Sequence, residues 1–444
     1  MFNPAELDDF ARYYGFHYDI CDSRILIRDL LTEMDRGLRG LTSDLAMIPA
    51  YLGLTTRLEP GRRVLALDAG GTNLRAALVR FTGDGKAETE GSFRSFMPGT
   101  RGRVSAEEFF DLLAAAAAPL LESAGDIAGI GFCFSYPMEV TADSDGILLK
   151  FAKEVDAPEV VGRRMGAGLR EALTRRGFKA PERIVLLNDT ASTLLSGLLQ
   201  IPAQTGGADL YGVEAGPVIG LILGTGFNTA YPEKNIPKIG FESENDPQIV
   251  VCESGGFNPR FLGALDRQFD AATKNPGGYT LEKSAAGAYL GPLTLLVLKQ
   301  AVKDGVLKFG ASEKLLAWDT LQTRELNEFM YAPLAGEGPV GSLFGPGERD
   351  ALATFCYLSS IITKRGALLT SAVAAATVEH LGAGRDPLVP VRIAVEGTTY
   401  LRYRGMREAF EASLHIMLNR EGPRYYTVAP VEQASLLGAA VAAG

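Results

Sequence analysis

The 444-residue chain has only four cysteines, Cys21, Cys133, Cys252 and Cys356, and no two of them form a CxxC pair. Such spacing supplies neither a zinc-binding pattern nor a disulfide framework, and it fits a reducing compartment. Histidine is scarcer, with His17, His380 and His415 far apart. That argues against His-based zinc sites and against a Ser-His-Asp hydrolase. No stretch approaches the ~18 apolar residues of a spanning helix, and the N-terminal MFNPAELDDFARYY lacks the basic start and apolar run of a secretory signal. A cytoplasmic protein is expected. Positive charge is not in excess either: 53 acidic residues face 44 basic ones, a net charge of -9. Neither nucleic acid nor a membrane is therefore an expected partner, and an anionic small molecule must be held by local groups.

What is present is the composition of a globular protein, 46% hydrophobic and 22% charged. The length exceeds what one core usually supports, so two lobes around a cleft are expected. Apolar residues recurring at three and four from Ile25 to Leu41 predict a helical preface over 5–52. From Arg63 the texture changes: Val64–Leu67 runs through Asp68 into Gly70-Gly71-Thr72-Asn73, and Ala76–Val79 resumes, which predicts a hairpin with a glycine loop. Ser105 and Glu108 open a helix to about 122, and strands follow at 127–134 and 183–187. The theme returns where Val218–Leu223 enters Gly224-Thr225-Gly226 before Thr229–Tyr231, and again where Val391–Val395 enters Glu396-Gly397-Thr398. Helices are expected at 281–304, 349–381 and 404–419, and a flexible loop at 206–217. Apolar strands that repeatedly discharge into Gly-Thr turns imply a duplicated α/β architecture whose loops converge on one ligand.

Glycine loops let backbone N–H groups approach a phosphate closely without any net positive charge, which meets the difficulty set by the acidic composition. Gly85-Lys86 is followed by Ala87 and breaks the P-loop pattern, and GTGFNT at 224–229 lacks the third glycine of a dinucleotide loop. Taken singly, each Gly-Thr turn could do no more than join two elements. Asp68, at the end of its strand, could hold Mg2+ through water or merely cap the turn. Asn188-Asp189 lies between the strand IVLL and the helical run ASTLLSGLL, where α/β folds place ligands but where helix capping also selects Asn and Asp.

Eight segments, in order, decide between these readings. LDAGGTNLR, GFCFSYPME, LLKFAKEV, LLNDTAST, LGTGFNTAY, ESGGF, NPGGYTLEKSAAGAYLG and VEGTTYL, over roughly 60–440, resemble the hexokinase family, the hexokinases and glucokinases of the actin-like ATPase superfamily. The resemblance implies a two-lobed, ribonuclease H-like α/β fold with a central cleft and duplicated domains. It divides the chain into a small domain, 62–190 plus 433–444, and a large one, 1–61 plus 191–432. It implies an ATP:hexose 6-phosphotransferase using ATP and Mg2+, working as a monomer or homodimer. Ser135, Asn188, Asn228, Glu253 and Glu282 would touch the sugar, and Lys153 both sugar and γ-phosphate. Asp189 would be the general base toward the 6-hydroxyl. Gly70, Gly71, Thr72, Asn73, Gly224 and Thr225 would hold phosphates, Gly397 and Thr398 would lie near the adenosine, and Asp68 would bind Mg2+ through water.

Three departures bear on specificity. Ala152 stands where the family has a sugar-contacting threonine, Glu154-Val155 replace a glycine and an aromatic, and Val251-Cys252-Glu253-Ser254-Gly255 keeps the carboxylate but loses a tryptophan. A catalytically silent sugar-binding regulator of the same fold would dispense with Asp189 or Lys153, and both are present. An actin-like ATPase that binds protein in its cleft would have no use for Asn188-Asp189 together with Glu253 and Glu282.

Overall fold

The structure is a computed structural model that describes residues 2–54, 58–83, 86–151, 155–201 and 215–444. Most of the loop expected at 206–217 lies outside the described residues. Two sheets dominate. The first runs Ala87–Phe96, Asn73–Phe81, Arg63–Gly70, Ile130–Phe134, Ile184–Leu187 across its width. Its first two pairings are antiparallel and its last two parallel. The second sheet repeats that order and that change of direction with Gln248–Val251, Phe227–Glu233, Val218–Leu223, Val391–Glu396 and Tyr426–Pro430. The duplication is therefore complete in topology. By position, Val391–Glu396 is the counterpart of Ile130–Phe134, and it leads into the helix Thr398–Arg402 rather than into a hairpin turn.

The central strands are apolar along their length because both faces are covered; Val64, Leu65, Ala66 and Leu67 are all fully buried. Ala106–Ala124 forms the expected helix, its Ser105 hydroxyl accepting from the Glu108 N–H at 3.2 Å.

Three expectations require correction. The segment 5–52 is not helical throughout: helices Pro4–Tyr14 and Ser23–Leu38 are separated at Gly15, and Ile48–Gly53 adds an edge strand to the second sheet. Helical spacing fails there because Pro49 forgoes a backbone donor, which only an edge strand accommodates, and because Met47 and Tyr51 take positive φ. The stretch 281–304 is two helices, Thr280–Ala285 and Gly287–Lys303, parted by extended Ala286. Contrary to the expectation that no stretch approaches a spanning helix, the helix Arg349–His380 is, by length and composition, apolar enough to cross a bilayer, although 89% of its most apolar window is buried within the protein. At its middle Arg365 donates two bonds, of 2.7 and 2.6 Å, to fully buried Asp266, whose Oδ2 also accepts the Gly263 N–H. This pins the helix Ala264–Ala271 in place, and removing one partner would strand a buried charge.

Each half ends in a helix that follows its fifth strand: Asp189–Gln200 in the first and Ala434–Ala443 at the C-terminus. These two helices pack on each other between the sheets, in a core shared by Ala191, Leu194, Leu195, Ala439 and Ala440. Their approach is backbone to backbone. A Cβ on Gly438 would overlap the Ser192 carbonyl, one on Gly131 the Ala439 carbonyl, and one on Gly220 would stand 2.6 Å from the Thr190 oxygen.

Because none of these neighbours is a flexible side chain, Gly438→Val should lower the unfolding free energy by ~1–3 kcal/mol or more. Gly83→Ala, which meets no atom within 4 Å, should change it by less than ~0.5 kcal/mol. Chemical denaturation followed by circular dichroism distinguishes the two; equal effects would show that the crossing is not tightly packed.

Candidate active site

Four of the loops singled out in the sequence leave the C-terminal end of a strand. Ser135 follows Ile130–Phe134, Asn188 follows Ile184–Leu187, Gly224 follows Val218–Leu223 and Gly397 follows Val391–Glu396. This is where open α/β sheets gather their ligands. A cavity of about 530 Å3 lies there, lined among others by Ser135, Asn188, Asp189, Asn228, Glu253 and Glu282. Six of the seven proposed sugar-site residues are thus brought together. The seventh, Lys153, lies outside the described residues, as do Ala152 and Glu154. The N-terminal segment contributes Asp44, Ala46 and Ile48 to the wall, which the helical reading of 5–52 concealed. A larger cavity, about 750 Å3, contains none of these residues and is edged by Arg164, already held by Asp143 and Asp145.

Local hydrogen bonds assign most polar atoms. Asn188 is the N-cap of the helix that Asp189 begins, its Oδ1 accepting from the Thr190 N–H at 2.6 Å. Asn188 lines the cavity, and its amide group is a donor. Asn228 uses Oδ1 to accept from the N–H groups of Thr229 (2.8 Å) and Ser254 (3.2 Å), and its Nδ2 donates to Glu253 Oε1 at 2.7 Å. Glu282 Oε2 accepts the Phe227 N–H at 3.0 Å. Glu253 itself sits in the left-handed region, φ 58°, unusual for a residue with a side chain. The remaining capacity is mostly carboxylate oxygen.

Burial pushes Glu253 above the ordinary carboxylate range. The amide of Asn228 partly opposes this, and the charges of Asp189 and Glu282 add to it. Glu282 is raised by the same burial against its bond from Phe227.

The glycine loops adjoin this cavity. Gly70-Gly71-Thr72-Asn73 is a tight hairpin turn, with Gly70 paired to Asn73 and Gly71 at φ 63°. The Tyr136 hydroxyl donates to the Gly71 carbonyl at 2.7 Å, tying the turn to the Ser135 loop. Gly397, at φ 122°, has no room for a side chain, because a Cβ would overlap the Leu223 carbonyl. That closeness sets Gly397-Thr398 against Gly224-Thr225, and Thr399 Oγ1 donates to the Gly224 carbonyl at 2.8 Å. Thr72, Thr225 and Thr398 all present exposed side chains.

Asp68 is buried, and Arg75 donates to its Oδ2 at 2.7 Å. Burial raises its pKa and Arg75 opposes the rise. Glu396, which carried no assigned role in the sequence, is raised by burial and next by the charge of Asp189, with Asp68 adding to it. A signal was available: like Asp68, it is a carboxylate close before a glycine that follows an apolar strand run.

A family profile described as hexokinase matches residues 218–444, and a second with the same description matches 14–199. Hexokinase-3 of Homo sapiens is 30% identical over 380 residues, covering 83% of this chain and 39% of that protein, so the chain spans about two fifths of that relative's length. Hexokinase-2 of Candida albicans is 26% identical over 462 residues, covering 95% of the chain and 88% of its own length. Among solved structures, hexokinase from Schistosoma mansoni complexed with glucose has a TM-score of 0.74 at 24% identity, covering 100% of this chain and 99% of its own. A further hexokinase crystal structure has a TM-score of 0.75 at 22% identity, covering 100% and 96%. The fold is the two-lobed actin-like ATPase fold.

The crowded carboxylates predict a trade between stability and binding. Glu253→Gln keeps an acceptor for Asn228 but removes a buried charge, so the empty protein should gain on the order of 1 kcal/mol at neutral pH. Because the folded pKa of Glu253 is raised, the wild type loses this stability as pH climbs from the ordinary carboxylate value through the raised one. The gap between variant and wild type should therefore close on acidification. Thermal unfolding as a function of pH reads this directly; a less stable variant at neutral pH would contradict it.

Proposed function

The chain belongs to the hexokinase family, and from that premise we propose that it transfers the γ-phosphate of ATP to the 6-hydroxyl of glucose or a related hexose, with Asp189 as the general base. The observation that carries this reading is the position of Asp189. It lines the cavity, and its charge raises both Glu253 within that cavity and Glu396 beside the glycine loops. A carboxylate at that junction is the group able to accept a proton from one ligand's hydroxyl while the other ligand's phosphate lies across it. It stands at the first position of its helix, where the positive end of the dipole offsets part of the crowded negative charge.

The sugar's hydroxyls would donate to Glu253 and Glu282, and Asn188 would donate in return. A site built this way penalises any analogue that lacks a hydroxyl. The three loop threonines and their glycine N–H groups suit phosphate oxygens. Mg2+ bound with ATP would neutralise charge on the phosphoryl group in transfer, and Asp68 and Glu396, both raised chiefly by burial, are the carboxylates suited to hold it or its waters. We take 62–190 with 433–444 as one lobe and 1–61 with 191–432 as the other. Each sheet falls within one of them, so closing the cleft on sugar would bring the two walls of the cavity together and keep water from the phosphate.

The test is ADP and sugar phosphate production with Mg-ATP against a panel of hexoses, wild type beside Asp189→Asn. Matched, sugar-dependent formation of both products is expected. In the variant it should fall by ~10²–10⁴ or more while sugar affinity changes only a few-fold. Sugar binding without turnover in the wild type, or undiminished turnover in the variant, would overturn the assignment.

A further inference from the structure

A second pocket shares no residue with the sugar cavity. It has a volume of about 460 Å3 and is edged by Arg24, Arg28, Arg385, Arg420 and Arg424, in a chain whose acids outnumber its bases by nine. The arginines come from separate parts of the second lobe. Two stand on the helix Ser23–Leu38, one follows the helix Arg349–His380, and two lie in the loop between the helix Met406–Leu418 and the strand Tyr426–Pro430.

Their partners divide them. Arg24 is paired with Asp22 at 2.9 Å and Arg28 stands 3.6 Å from Asp29. The other three have no carboxylate within ion-pair distance among the described residues. Arg420 donates only to the neutral Ser23 hydroxyl at 2.8 Å, Arg424 to the Ala383 carbonyl at 2.7 Å, and Arg385 to nothing among the described residues. Three guanidinium groups around one cavity repel each other, and each keeps several N–H donors unused. The floor is apolar: Ile27, Met417 and Leu418 are buried beneath the charged rim.

We propose that this pocket binds a small phosphate- or diphosphate-bearing molecule with an apolar body. The guanidinium fork matches phosphate oxygens in pairs, the volume is that of a small-molecule site, and the apolar floor accepts the rest of such a ligand. Glu379 lies on the same wall, its carboxyl raised by burial, with Arg424 opposing that rise and Glu421 adding to it. When protonated it becomes another donor to a phosphate oxygen. The pocket's concavity and the acidic balance of the rest of the chain disfavour an extended nucleic acid as occupant.

Inorganic pyrophosphate is the probe. Calorimetric titration at constant ionic strength, with a non-hydrolysable ATP analogue in excess to fill the glycine loops, should show one binding event in the wild type. Arg385→Gln removes an exposed group with no side-chain partner among the described residues, and should weaken that event by about tenfold or more. Arg420→Gln with Arg424→Gln should weaken it further. If the double variant does not fold, the single one decides. Absence of binding in the wild type, heat reproduced by sodium chloride of equal ionic strength, or equal affinity in Arg385→Gln would overturn the proposal.

Discussion

The close crossing of two helices between the sheets is the contact on which the rest depends. Gly438 lets the C-terminal helix touch the Ser192 backbone, and Gly131 and Gly220 bring the neighbouring strands equally near. With side chains at these positions the sheets would be forced apart, and the strand ends that carry Ser135, Asn188, Gly224 and Gly397 would separate with them. Small residues therefore set the width of the cleft, although none of them faces a ligand. The interior tolerates no added volume there because it is packed like a solid.

The sheets were the most legible part of the sequence. Apolar runs such as Val64–Leu67 and Val218–Leu223 can only be covered strands, and each ends in a glycine turn. Repetition of that pattern exposed the duplication, though not its full correspondence, since Val391–Glu396 reads like the hairpin strands and is instead the counterpart, in the second sheet, of Ile130–Phe134. The edge strand Ile48–Gly53 stayed hidden because its pairing with Gln248–Val251 is settled almost 200 residues away. The Arg365–Asp266 pair is invisible for the same reason: each residue alone reads as an ordinary surface charge, and only the packing of one helix on another buries both.

The candidate site was legible in a different way. Single residues such as Glu253 and Asn228 carry no sign of their roles. What located them was the order of eight segments together. Geometry then added what order cannot supply. It showed the charge of Asp68 acting on Glu396, Tyr136 fastening one loop to another, and Asn228 bound to Glu253, Thr229 and Ser254 within the protein. The cavity's polarity is lopsided toward acceptors, which matches a ligand whose every hydroxyl can donate.

Asp189 lies at the edge of one lobe, where the chain passes to the other. It opens the helix wedged between the halves, so its backbone is held by the same crossing that joins them. An engineer altering this scaffold would find that helix nearly immutable, since a change in its course would disturb both sheets at once. The segments carrying Ser135, Glu253 and Glu282 are anchored on one half each and can vary independently. In such an architecture the walls of the cavity can be varied separately, while the helix between the halves stays fixed.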